Sequence, residues 1–160
     1  MEKDKTCKIV FSDIDGTLLT SDGQITEGTK EMILNLEKKG IPFILTSARS
    51  PEGVRVIKRM LGNHAPIIAF CGGLILDDDG NEIYSKMIPL KRALELKAML
   101  DKDFPAVACN TFGGEKWIVD DRDDWREQRE EKIVGFPAEI GSIKDTFETE
   151  GGIHKFLLMG

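Results

Sequence analysis

The sequence predicts an α/β fold with a parallel sheet, and three observations carry that prediction. Short apolar runs with β-branched members recur at Ile9 to Phe11, Pro42 to Thr46 and Pro66 to Phe70. That is the composition of strands buried on both faces of a parallel sheet. Between the runs lie stretches with apolar residues at helical spacing, bounded by capping residues. Strand and helix therefore alternate, the pattern of a right-handed βαβαβ unit. At 160 residues the chain has room for one ordinary domain or two small ones.

In chain order, Ile9, Val10 and Phe11 form the first strand, which Gly16 breaks. Ser21-Asp22-Gly23 is a turn and Thr26 an N-cap. The helix after it is expected to bury Met32, Ile33 and Leu36 and to stop at Gly40. The second strand runs into Ser47-Ala48-Arg49. Ser50 as N-cap, with Pro51 at the first helical position, opens a helix with Val54, Ile57 and Leu61 inward and Gly62 at its end. After the third strand, Cys71-Gly72-Gly73 leads into a β-hairpin, Leu74 to Leu76 and Glu82 to Tyr84, turning at Asp78 to Asn81. Cys71 is read as a packed thiol. The run Asp77 to Asp79 lacks the ligand spacing and distal Glu of a calcium loop.

From about Pro89 the character changes. Leu90 to Leu100 reads as a helix, and Ala106 to Asn110 and Lys116 to Asp120 as strands joined through Gly113-Gly114. Asp121 to Lys132 reads as a solvated charged helix. Trp117 and Trp125 suit a substrate pocket or, the commoner fate, a core. His154 reads as a strand residue rather than a catalyst.

Composition narrows the function. Apolar content of 41% with 31% charged residues is that of a soluble globular chain. A net charge of −6, from 28 acidic and 22 basic residues, argues against a nucleic-acid surface. No run of about 18 apolar residues suggests a membrane span, and Met1 to Lys5 lacks the apolar segment of a signal peptide. Cys7, Cys71 and Cys109 are widely spaced, without metal-ligand pairing, and read as free thiols in a reducing cytoplasm.

The chemistry gathers at Asp13 and Asp15. Gly16 ends the first strand, so both acids fall at or just past its carboxyl end, where open α/β sheets bind ligands. In extended backbone, residues two apart point the same way, so both carboxylates are expected to face one pocket. Two close carboxylates resist ionising together unless a cation joins them or one keeps a proton. A magnesium ion would tie Asp13 to a phosphate, and Asp15 would trade a proton with a leaving group. Ser47, at the end of the second strand, would donate to a phosphoryl oxygen or cap backbone. Arg49 would pair with phosphate or with a cap domain, or lie on the surface.

Asp13-Ile14-Asp15-Gly16-Thr17-Leu18-Leu19 resembles the first motif of the haloacid dehalogenase-like (HAD-like) phosphohydrolases. Thr46-Ser47-Ala48-Arg49 resembles their second motif, and the hairpin followed by α/β sequence resembles the Cof-type subgroup, although Cys71-Gly72 stands where members usually carry Asn-Gly. The resemblance implies the first part of a Rossmann-like HAD core with a parallel three-layer α/β/α sheet, residues 1–88 including a hairpin flap. A partial α/β type IIB cap, residues 89–160, would follow.

It further implies that Asp13 is the nucleophile, forming an aspartyl-phosphate, and that Asp15 is the general acid and base. Ile14, Gly16 and Thr17, with Ser47 and Arg49, would hold phosphate. Asp13 and Asp15 would hold Mg2+. The substrate class would be a small phosphorylated metabolite. No stretch matches the family's third motif, with its Lys, or its fourth, with its further acids; Lys155 falls in an expected cap strand. The expectation is a magnesium-dependent phosphohydrolase impaired by those absences, or else a non-catalytic remnant binding phosphate or a partner. The first strand, from Cys7 to Ser12, would present one open edge, and the chain would self-associate through its incomplete core.

Overall fold

The structure, a computed structural model, describes residues 7–160. The Met1 to Lys5 start, read above as lacking an apolar leader segment, lies outside the described residues. The chain divides after Tyr84 into two compact units.

The first unit is built on β1 (Val10–Asp13), α1 (Glu27–Lys38), β2 (Phe43–Thr46), α2 (Pro51–Leu61), β3 (Ile67–Ala69), β4 (Leu74–Leu76) and β5 (Glu82–Ser85). These strands form one sheet in the order β1-β2-β3-β4-β5. β1 and β2 run parallel, with Val10 opposite Phe43 through Asp13 opposite Thr46, and β2 and β3 run parallel too. β4 returns antiparallel to β3. The local signals worked as read. Thr26 Oγ1 accepts from Thr29 N–H at the start of α1, and Ser50 Oγ accepts from Gly53 N–H ahead of Pro51 in α2. Gly62 closes α2 in the left-handed region at φ 68°.

One sheet face carries Phe43, Leu45, Ile67, Ala69, Leu74 and Leu76, all buried, against Val54, Ile57 and Leu61 of α2 and Ile33 of α1. Each fully buried aliphatic side chain of this set contributes about 1.5–3 kcal/mol.

Two expectations need correction. Ile9, placed in the first strand by the sequence reading, precedes β1 and is 43% exposed, and Phe11 within β1 is 55% exposed, so the first strand is not buried on both faces. Among the described residues it pairs only with β2, and neighbours on one side alone cover it incompletely. Met32 is 66% exposed, because the buried stripe of α1 centres on Ile33 and the adjacent position turns about 100° away from it.

The second unit comprises β6 (Ile88–Pro89), α3 (Leu90–Asp103), β7 (Ala108–Gly113), β8 (Lys116–Val119), α4 (Trp125–Val134), β9 (Glu139–Ile140), α5 (Ile143–Phe147), β10 (Gly152–Ile153) and β11 (Lys155–Met159). A four-stranded sheet has the order β11-β7-β8-β9, and β10 pairs with β6. Ala93, Ile118, Ile143, Phe147 and Ile153 form its core, with Ile88, Leu90 and Phe156 packed against them. Phe147 lies over Gly113, where a Cβ would stand 2.5 Å from the ring carbon Cε1.

Trp117 is 3% exposed and Trp125 66%, so only the first is a core residue. Trp125 opens α4 on its outer side. The charged helix is not wholly solvated either, since Glu127 is buried within it. His154 lies between β10 and β11, where its Nδ1 accepts from Gly114 N–H at 3.0 Å and its Nε2 stands 3.2 Å from Ser85 Oγ. It therefore occupies the bend between these strands and is not a strand residue, which corrects its sequence reading. No helix among the described residues is long and apolar enough to cross a membrane.

Candidate active site

The site forms within the first unit, where β1 and β2 end side by side. Asp13 is the last residue of β1 and lies opposite Thr46, the last of β2. Its Oδ1 accepts from Ile14 N–H at 2.8 Å, and its carbonyl accepts from Ser12 Oγ at 2.8 Å. Extended backbone stops there. The Ile14 carbonyl accepts from Thr17, Leu18 and Leu19 N–H at 3.4, 3.0 and 3.1 Å, which curls the next segment into a helical turn. Gly16 takes φ 73° within it, a conformation that favours glycine. Ile14 (0% exposed) and Leu18 (8%) anchor this turn inward, while Asp13, Asp15, Gly16 and Thr17 remain exposed. The alternation that would aim Asp13 and Asp15 alike therefore does not apply, because Asp15 sits on the turn.

Asp15 instead meets the second motif. Arg49 Nε donates to Asp15 Oδ2 at 2.9 Å and Nη2 to Oδ1 at 2.7 Å. These hydrogen bonds hold the Asp15 carboxyl below its ordinary value, with partial burial opposing them. Of the fates open to Arg49 from the sequence, pairing with phosphate, with a cap or with neither, its partner here is an acid of the first motif. Ser47 is buried, and its Oγ accepts from Arg49 N–H at 3.1 Å. The hydroxyl thus does the backbone-capping work weighed above, and its O–H is still a donor by chemistry.

A feature not legible in the sequence supports this loop from beneath. Phe70 and Cys71 both take positive φ, 51° and 54°, which costs non-glycine residues about 1–2 kcal/mol each. Phe70 N–H donates to the Arg49 carbonyl at 3.0 Å, and Cys71 N–H to the Ser47 carbonyl at 2.9 Å. Cys71 is exposed, which corrects its reading as a packed thiol: a left-handed turn carries its side chain outward. The one available signal was the Asn-Gly usual in the resembled family, since Asn tolerates this conformation.

For a divalent cation, Asp13 and the Asp15 carbonyl offer hard oxygen donors of the kind magnesium takes. The Asp15 carboxylate is engaged by Arg49. Among the described residues no three His, Cys, Asp or Glu side chains cluster as a metal site.

Comparison with known proteins decides the family. The model for haloacid dehalogenase-like hydrolases matches residues 10–159. The chain belongs to that family. A Haemophilus influenzae protein provisionally named a phosphatase is 36% identical over 124 residues, covering 72% of this chain and 47% of that protein. The chain thus spans about half the length of this relative. Among solved structures, a haloacid dehalogenase-like hydrolase from Bacteroides thetaiotaomicron shares the fold with a TM-score of 0.81 at 20% identity, covering 97% of this chain and 59% of that one. A Plasmodium vivax protein provisionally named a HAD/COF-like hydrolase gives 0.68 at 19% identity, covering 83% and 49%. The Rossmann-like α/β fold and the HAD-like, Cof-type resemblance read from the sequence are both borne out.

Proposed function

We propose that this HAD-family chain serves a magnesium-dependent phosphohydrolase acting on small phosphorylated metabolites through an aspartyl-phosphate. The observation that carries the reading is the exposed Asp13 carboxylate at the end of β1, beside an Asp15 clamped by Arg49. An Asp13 oxygen attacks phosphorus, the ester P–O bond breaks, and the leaving alkoxide takes a proton from Asp15. Water then attacks the acyl phosphate and gives its proton to Asp15, releasing inorganic phosphate and the Asp13 carboxylate.

Arg49 favours the ionised Asp15 that the second step needs. For the first step Asp15 must carry a proton, so the pair loosens when phosphoryl oxygens offer Arg49 another partner. The N–H groups of the Ile14 to Gly16 turn, with Thr17 and Ser47, are the remaining candidates to hold those oxygens. Magnesium, held by Asp13 and the Asp15 carbonyl, would supply charge neutralisation for the transferring group. Residues 89–160 would act as a cap. The three cysteines, unpaired in the structure, accord with a cytoplasmic setting.

The test is p-nitrophenyl phosphate turnover by this chain with magnesium, beside Asp13→Asn and Asp15→Asn. The parent is expected to turn over weakly, as a chain without the third and fourth motifs should, Asp13→Asn to lose both turnover and the beryllofluoride adduct, and Asp15→Asn to keep some adduct. Phosphate binding without turnover in the parent would favour the non-catalytic remnant. Equal turnover in the parent and Asp13→Asn would remove Asp13 as nucleophile.

A further inference from the structure

Helix α4 carries one acid into the core of the second unit. Glu127 is 2% exposed. Its Oε1 accepts from Asn110 Nδ2 at 3.0 Å, and Asn110 Oδ1 accepts from Trp117 Nε1 at 2.7 Å. Asn110 and Trp117 are 0% and 3% exposed. The Trp117 ring stacks on Phe112 at 5.2 Å between centroids and meets Phe136 edge-on at 5.3 Å. The indole thus orients the amide, and the amide serves one oxygen of Glu127. The other, Oε2, is buried without a hydrogen-bond partner.

An ionised carboxylate here leaves charge on an oxygen that nothing solvates, and a proton removes that charge. The surroundings do not supply the missing partner. On α4, Arg126 is engaged by Asp124 and by the carbonyls of Ala106 and Met159. Asp124, which caps the helix, and Glu130 oppose ionisation of Glu127, and Arg126 favours it. β7 and β8 face it with the uncharged Asn110 and Trp117. Lys155 of β11, opposite Phe112 in the strand register, stands over the Phe112 ring at 5.5 Å. Burial is the largest influence and pushes the Glu127 carboxyl up to about 6.

We propose that Glu127 is a proton-operated latch: protonated, it lets α4 lie closed on the sheet, and ionised, it drives α4 to open and admit water to Oε2. The sign follows from linkage. A carboxyl raised from 4.5 to about 6 in the closed form contributes stability that is complete below the lower value and lost as pH rises through the upper one. From well below the lower value to well above the upper one, the closed-to-open ratio of α4 falls about thirtyfold in all.

Hydrogen–deuterium exchange of the α4 amides, corrected for intrinsic rates and followed from about pH 4 to about pH 8, reads the opening directly. The parent chain is expected to open more as pH rises, and Glu127→Gln, a neutral side chain of the same shape, to show no such trend. A flat parent profile, or an unchanged trend in Glu127→Gln, overturns the proposal. The carboxyl 13C shift of Glu127 in the parent chain needs no variant. A midpoint near the raised value supports the latch, and one at the ordinary value overturns it.

Discussion

Arg49 and Asp15, 34 residues apart in sequence, meet through two parallel hydrogen bonds of 2.9 and 2.7 Å. The guanidinium fork matches the carboxylate edge in a bidentate geometry that a Lys cannot reproduce. The Asp15 side chain is 55% exposed, so solvent screens the pair and its share of stability is small, about 0–1 kcal/mol. Its role is positional. Arg49→Met is expected to unfold within a few degrees of the parent, while turnover of p-nitrophenyl phosphate falls by up to about 100-fold. Unchanged turnover in a folded Arg49→Met would show that the clamp has no part in the reaction.

Cys71 pays for its left-handed backbone with strain. Cys71→Gly is expected to raise stability by about 1 kcal/mol, since glycine adopts φ 54° without a Cβ clash. Cys71→Asn should gain less, in the same direction. Urea unfolding monitored by circular dichroism measures both. A loss of stability in both variants would mean that the cysteine side chain makes contacts outweighing the strain.

Gly113→Ala is expected to destabilise the second unit by about 1–3 kcal/mol, the cost of overpacking a filled core. The new Cβ would stand 2.5 Å from Phe147 Cε1, and that ring is 0% exposed with no room to withdraw. Pairing the change with Phe147→Leu should recover part of the loss, because the smaller side chain vacates the contact. Thermal unfolding of the two variants checks this.

The outer edge of β1 bears on self-association. Val10 N–H donates to the Pro42 carbonyl at 2.9 Å, so by the alternation of a parallel ladder the N–H and C=O of Phe11 point away from β2. With Phe11 itself 55% exposed, this edge is a template for another strand. The chain is expected to self-associate at micromolar concentration, and Phe11→Lys to reduce that association while leaving the fold intact. Light scattering that finds the parent monomeric and thermally stable would refute it.

The sequence by itself determined the order of elements in the first unit, the caps at Thr26 and Ser50, the inner face of α2 and the place of Asp13. Each depends on neighbours within a few residues: a hydroxyl reaching the next turn, a repeat of apolar positions, a glycine that ends a strand. It left Ser47 and Arg49 with several fates, because their partners are set by strands that meet only in the fold. Tertiary structure alone decided that Arg49 clamps Asp15 and that Phe70 and Cys71 adopt left-handed backbone beneath the Ser47 loop. It also decided that Phe11, Met32 and Trp125 face outward while Glu127 faces in. Burial is a property of what packs against a residue, and the Asn110–Trp117 pair that receives Glu127 comes from strands laid down before its helix begins. A charged helix read alone offers no sign of which of its acids will lose its water.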